Sequence, residues 1–253
     1  MALVILIISL LVRLVQLPSV PPGFYVDEAA QGYNAYTLLT TGKDEHGQSL
    51  PLYLKSFGTY PPALFAYFTT VPIKLFGLSV FSVRLTSAIL GSLTVLVFAV
   101  LCQFIFSHRT AFFLGGLLLA LNPTHVLFSR GIHEPTLGLL LFLLGVTLLY
   151  RRRWTWGLIL LSLSTYAYQP QRLIVYPFLL GLVIFSRRKP IWPLILFGLT
   201  QLPNLLLGPS ARLSALSWWP NPHPIREFLS QYLAYFSPRN LFWLPDPDLQ
   251  RSL

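Results

Sequence analysis

The chain has 253 residues, of which 54% are hydrophobic and 10% are charged, and its formal net charge is +10. A mean hydropathy of +0.63 argues against a soluble domain, because long apolar stretches with few charges are typical of transmembrane helices. Nucleic-acid binding is rejected as well, since the bases lie in short clusters between apolar runs and form no continuous stripe.

The apolar runs predict an all-α fold, a polytopic transmembrane helical bundle of about seven spans, because a span takes about 20 residues at about 1.5 Å each. We predict a single transmembrane domain over residues 1–253. The first run has the length of a signal peptide but lacks a basic start and a small-residue cleavage site, so we expect a retained helix. Arg13, near its outer end, is expected to reach the headgroups. The predicted spans are residues 2–17, 83–106, 111–128, 136–150, 154–170, 173–186 and 191–208.

The charged residues orient this bundle. Basic clusters at His108-Arg109, Arg151–Arg153 and Arg187–Lys189 follow apolar runs, and the positive-inside rule places them in the cytoplasm. The carboxylates then all fall on the opposite side, which is a partly independent check because the rule counts only Lys and Arg. We therefore expect a multi-pass cell-membrane protein with its working face outside the cytoplasm. The outer segments are residues 18–82, 129–135, 169–172 and 209–253.

The first outer segment is predicted to hold two short helices that lie along the membrane surface. Residues 28–41 have mixed polarity, and Gly42 is placed to end that helix as a C-cap. Residues 62–78 are apolar but contain Pro72, which makes a poor span and a fair interfacial helix. A turn at residues 47–51 separates the two.

Asp27 and Glu28 are the strongest candidates for chemistry, since they are adjacent carboxylates at the membrane–water boundary. Burial there raises a carboxylate pKa and a nearby Arg lowers it, and either tuning suits a general base. The alternative is structural: Asp27 before Glu-Ala-Ala is a good N-cap. On spacing alone we favour the cap, and the two roles are compatible.

Two further clusters on the outer face contain basic side chains. Arg130, His133 and Glu134 lie in one short loop, for which the sequence alone favours a polar turn between helices over a site. At the other, Tyr168 could stack on a sugar or a lipid headgroup and Arg172 could grip a phosphate. Its alternative is an aromatic belt with an Arg that reaches the headgroups.

Cofactor signals are weak. There is no His or Cys spacing of a metal site, although a carboxylate-bound Mg²⁺ or Mn²⁺ stays open. Gly-rich phosphate loops are absent, so nucleotide binding is unsupported. Lys55 and Arg84, the remaining outer bases, are each expected to be interface anchors. Because nucleotide sugars are absent outside the cytoplasm, an activated donor on that face would have to be lipid-linked.

These residues resemble the family 39 glycosyltransferases of the GT-C class, which include protein O-mannosyltransferases and the aminoarabinose transferases of lipid A. The most specific similarity is the first outer loop, residues 27–35 and 41–51. Further similar residues are Tyr60-Pro61-Pro62, Phe76-Gly77, Val83-Arg84-Leu85, Asn122-Pro123, Ser129-Arg130, Glu134-Pro135, Tyr166-x-Tyr168-x-x-x-Arg172 and Phe236-Ser237-Pro238.

The resemblance implies an inverting transfer of a sugar from a polyprenyl-phosphate donor to a protein, lipid or glycan acceptor on the outer face. It assigns Asp27 as general base with support from Glu28, and it places Glu134 in the lining of the site. Arg130 and Arg172 would hold the lipid phosphate.

Two departures from the family pattern stand out. Many members have Lys where this chain has Tyr60, so a phosphate contact there is absent or comes from Lys55. Members are usually longer, so we expect the chain to be the N-terminal portion. The alternatives are a non-catalytic lipid-sugar carrier or transporter, for which midplane charges and repeats are typical, and a structural scaffold in which the carboxylates are only caps.

Overall fold

The computed structural model describes residues 1–56, 60–131, 134–185, 191–206, 226 and 229–230. Every regular element in these residues is a helix, and two isolated bridges, Lys43–Ser49 and Tyr53–Pro62, lie in the first outer segment. The predicted all-α class is therefore confirmed for the described part of the chain. The helices are α1 (Ala2–Leu14), α2 (Val26–Thr41), α3 (Leu64–Phe76), α4 (Val80–Phe106), α5 (Arg109–Leu121), α6 (Pro123–Phe128), α7 (Glu134–Tyr150), α8 (Trp154–Ala167), α9 (Arg172–Phe185) and α10 (Ile191–Leu206).

Residues 1–208 form one compact unit and residues 209–253 form another. The first unit contains α1 to α10 and a short 3₁₀ turn over Gln169–Gln171. The predicted outer tail 209–253 lies outside the described residues except at positions 226 and 229–230, and so does the basic cluster 187–189.

Among the described helices, α4 alone is both long and apolar enough to cross a membrane. Its 27 residues extend about 40 Å at 1.5 Å per residue. The other apolar helices, such as α1, α5 and α7, have 10–17 residues, so the arrangement of seven spans stays a prediction. The predicted span 111–128 is not one helix, because α5 ends at Leu121 and α6 begins at Pro123.

Close backbone packing joins the long helices. A Cβ added to Gly145 of α7 would lie 3.0 Å from the carbonyl oxygen of Gly157 in α8, and the reverse contact has the same distance. Gly116 of α5 leaves room for the side chains of Ile5 in α1 and Ala99 in α4. Small residues allow such close approach between membrane helices, where water does not drive association.

The first outer segment contains the two predicted helices, α2 and α3. Gly42 ends α2 in the left-handed conformation, with φ of 71°, so the predicted C-cap is confirmed. Helix α2 begins earlier than predicted, with Tyr25 at the N-cap position, and Asp27 is therefore not the cap. A core cluster joins this segment to α4, and its members are Ala35, Leu38, Leu54, Ala63, Ala66, Ile73 and Val83.

One end of the bundle holds a basic loop and the other end holds the candidate carboxylates. Where α4 and α7 end, Arg151 lies over the ring of Phe104, 5.3 Å from its centroid. Tyr150 closes this end by donating a hydrogen bond to the Phe104 carbonyl oxygen. At their other ends, Arg84 of α4 meets Glu28 and Glu134 of α7 meets α2. The basic loops and the candidate carboxylates therefore occupy opposite ends of α4 and α7.

Candidate functional site

Asp27 and Glu28 are neighbours in the first turn of α2 but have different surroundings. The side chain of Asp27 is exposed, whereas Glu28 is 3% exposed. Glu28 accepts a hydrogen bond from the backbone N–H of Tyr25 at 3.0 Å, and so satisfies one of the free donors at the start of the helix. The cap is thus supplied by the second carboxylate, which leaves the first one at the surface.

Glu28 forms a buried ion pair with Arg84 of α4. Arg84 Nε donates to Glu28 Oε1 at 3.1 Å and Arg84 Nη2 donates to Glu28 Oε2 at 3.0 Å. Arg84 is fully buried, so its predicted role as an interface anchor is wrong. Its remaining donors bind backbone carbonyl oxygens of the segment before α2, at Leu17, Pro18, Pro21 and Gly23.

A second contact joins α2 to the start of α7. Gln31, one helical turn after Asp27, donates from Nε2 to Glu134 Oε1 at 2.8 Å. Gly131, just before α7, also approaches α2, since a Cβ added there would lie 3.3 Å from Glu28 Oε1. The structure therefore brings the carboxylates of the first and second outer segments together at one end of the bundle.

Arg130 also lies at this end of the bundle, where its guanidinium binds backbone carbonyl oxygens. Its Nε donates to the carbonyl oxygen of Val20, Nη1 to those of Val12 and Arg13, and Nη2 to those of Val15 and Val20. All three guanidinium nitrogens are engaged with backbone, so this geometry leaves Arg130 no donor with which to grip a phosphate. We assign it to holding the end of α1 and omit it from the proposed phosphate contacts.

Arg13 is also buried, and the prediction that it reaches the headgroups is wrong. Its side chain extends from α1 towards α6, where Nε donates to Ser129 Oγ at 2.8 Å and Nη2 contacts His125 Nδ1 at 2.7 Å. Because a guanidinium only donates, His125 Nδ1 must accept, and His125 is the neutral tautomer with its proton on Nε2. His133 lies outside the described residues.

Arg172 belongs to a second polar cluster, formed by α8, α9, α10 and the loop after α2. Its Nη2 donates to Asn204 Oδ1 at 2.9 Å and to the Tyr53 hydroxyl at 3.2 Å. Tyr53 in turn donates to Asn204 Oδ1. Burial raises the pKa of Tyr53, with a smaller opposing effect from Arg172, so its hydroxyl keeps the proton that it donates. Arg172 Nε is buried without a partner among the described residues.

Tyr60, Tyr168 and Lys55 are the remaining predicted binding residues. The Tyr60 carbonyl oxygen accepts a hydrogen bond from Gln169 Nε2 at 2.8 Å, and Lys55 is exposed. Tyr168 packs on α7, where a Cβ added to Gly138 would lie 2.9 Å from its Cβ. The first turns of α7 therefore contact α2 through Glu134 and Tyr168 through Gly138.

Sequence reasoning missed Gln31, Tyr53 and Asn204 as members of these clusters. Gln31 carried a signal, since it follows Asp27 by four residues and such pairs share a side of a helix. Asn204 and Tyr53 carried none, because their contacts are set by tertiary packing. No group of three or more His, Cys, Asp or Glu that could hold a metal ion occurs in the described residues.

The fold and the site define the class: a helical protein whose described helices include one that is long and apolar enough to cross a membrane, with polar residues gathered at one end of its bundle. Residues 60–206 match the sequence model of the dolichyl-phosphate-mannose-protein mannosyltransferases, and the chain belongs to this family. It is thus a member of a family of integral-membrane glycosyltransferases that use lipid-linked sugars. The match includes Glu134 and Arg172 but begins after Asp27. Comparison with curated proteins and with solved structures gave no match.

Proposed function

We propose that this chain transfers a sugar from a polyprenyl-phosphate donor to an acceptor on the extracytoplasmic face, with Asp27 as general base. Asp27 takes the proton of an acceptor hydroxyl, whose oxygen attacks the anomeric carbon with inversion. The bond from that carbon to the phosphate oxygen breaks, and polyprenyl phosphate leaves.

The observation that carries this proposal is the division of roles between two adjacent carboxylates. Arg84 neutralises Glu28 and fixes the first turn of α2, while Asp27 stays exposed. A general base needs an accessible carboxylate whose position is held, because its proton transfer requires an oxygen within about 3 Å of the acceptor. The Gln31–Glu134 hydrogen bond adds a second acidic group beside this turn.

Arg172 is the proposed contact for the leaving phosphate. Asn204 and Tyr53 hold one end of its guanidinium, and Arg is well suited to an anion that gains charge as the bond breaks. Lys55 is a second candidate, since it is exposed in the first outer segment, which also contains Asp27.

The test is sugar transfer by the full-length protein in proteoliposomes with polyprenyl-phosphate mannose as donor. We expect Asp27→Asn to lower kcat by about 10²- to 10⁴-fold, which is the usual contribution of a general base. Glu45→Gln is the matched control, because it removes a carboxylate from the same outer segment but keeps an acceptor for the Asn34 amide. Unchanged transfer by Asp27→Asn would overturn the role of Asp27 as general base. Donor uptake without transfer in the parent protein would favour the carrier alternative and overturn the proposed function.

A further inference from the structure

Gln31 has a buried acceptor beside the proposed site. It lies on α2 one turn after Asp27, and residues four apart project from the same side of a helix. Its side chain is 4% exposed, although Asp27 at the start of the same side is at the surface. Asp27 and Gln31 therefore lie on one side of α2, with the proposed base Asp27 at the surface and Gln31 buried.

The contact to Glu134 fixes the direction of the Gln31 amide. A carboxylate oxygen accepts hydrogen bonds, so the NH₂ group of Gln31 must face Glu134 Oε1, from which it is 2.8 Å away. Rotating the amide by 180° would set its carbonyl oxygen against the carboxylate, which is repulsive. Gln31 Oε1 consequently points away from Glu134, and it is buried with no hydrogen-bond partner among the described residues.

Buried amide oxygens are almost always hydrogen-bonded, because an unmade bond forfeits the hydration that the oxygen had in water. We propose that Gln31 is a specificity-determining residue, whose Oε1 accepts a hydrogen bond from one hydroxyl of the transferred sugar. This inference rests on the proposed function. Bound sugar then spans an exposed carboxylate, at Asp27, and a buried amide oxygen, at Gln31.

The chemistry of the oxygen selects a sugar hydroxyl over other ligands. Phosphate oxygens are acceptors at neutral pH, so they gain nothing from a second acceptor. A cation needs several ligands together, and the described residues contain no group of three or more His, Cys, Asp or Glu that could hold one. A hydroxyl is a donor, and it leaves the Gln31–Glu134 bond in place.

The experiment measures transfer by the full-length protein from polyprenyl-phosphate mannose and from its monodeoxy analogues, each lacking one hydroxyl. In the parent protein we expect one analogue to lower kcat/KM by about 10- to 100-fold, because it leaves Gln31 Oε1 unpaired. Gln31→Met, which keeps the length of the side chain and removes both polar groups, should use that analogue and mannose with kcat/KM values within about 2-fold. Gln103→Met on α4 makes the same change away from α2 and should keep the parent pattern.

Two results would overturn the inference. One is a parent protein that loses less than about 2-fold with every analogue, which would mean that water satisfies Gln31 Oε1. The other is a Gln31→Met variant that keeps the parent's ranking of analogues. The first result needs no variant, so it stands even if Gln31→Met does not fold. The mannose donor itself separates the cases. Its uptake without transfer in the parent refutes the proposed function too, whereas transfer with a flat analogue profile refutes only the role of Gln31.

Discussion

The buried pair between Arg84 and Glu28 makes the strongest prediction about stability. Replacing Arg84 by Met keeps most of the side-chain volume but leaves the Glu28 carboxylate buried without its charge partner. Two charge-assisted hydrogen bonds, of 3.1 and 3.0 Å, are lost at once. Removing one partner of a buried ion pair costs about 3–5 kcal/mol, because the remaining charge keeps its desolvation penalty.

The reverse change should cost less. In Glu28→Gln the guanidinium of Arg84 keeps its charge and also its carbonyl acceptors, among them Leu17 at 3.1 Å and Pro21 at 2.9 Å. We therefore expect about 1–3 kcal/mol for this variant, the usual cost of weakening a charge-assisted hydrogen bond. The double variant should be less destabilised than the sum of the two, since neither buried charge is then left unpaired.

The assay is reversible unfolding of the detergent-solubilised protein, followed by circular dichroism, for the parent, the two single variants and the double variant. Arg109→Met is the control, because that base is exposed at the opposite end of the bundle and should change the free energy of unfolding by less than about 0.5 kcal/mol. If Arg84→Met cost no more than Arg109→Met, or if the two single effects added without coupling, the pair would not hold the start of α2.

Two further changes test the packing and the break between α5 and α6. Gly145→Ala should lower the free energy of unfolding by about 1–3 kcal/mol, because its Cβ would lie 3.0 Å from the Gly157 carbonyl oxygen. Gly181→Ala is the control, since a Cβ there meets open space and the change should be neutral or stabilising. Equal melting temperatures for the two variants would contradict this packing. Asn122→Ala should cost about 1 kcal/mol, since Asn122 Oδ1 accepts the His125 N–H and caps α6, and thermal unfolding that matches the parent protein would show that the cap contributes nothing.

Composition and local pattern predicted the parts of this fold that depend on neighbours in sequence. The long apolar run gave α4, and the αL position at Gly42 followed from a helix pattern that ends on a glycine. The start of α2 could not be predicted in this way, because Tyr25 occupies the N-cap position and tyrosine is not among the residue types that favour it. Its place is fixed instead by the Glu28 carboxylate and by Arg84 from another helix.

The arginines show why the candidate site was only partly predictable. Arg13, Arg84 and Arg130 were expected at headgroups or on a phosphate, the usual places for a base near a membrane boundary. All three are buried, and their partners are mostly backbone carbonyl oxygens. Every residue has such an oxygen, so no sequence pattern reveals which ones a distant arginine will bind. The Asp27-Glu28 pair could be identified as a candidate because its two carboxylates are adjacent in sequence.

The arginine contacts to the segment before α2 have a consequence for how this region tolerates variation. Arg84 and Arg130 donate hydrogen bonds to main-chain oxygens within residues 15–23, such as those of Val15 and Val20. These hydrogen bonds do not involve the side chains of that segment. Val15 and Val20 are exposed. Other apolar residues can therefore replace these two valines without changing the course of the backbone. The orientation of the first turn of α2 then stays the same.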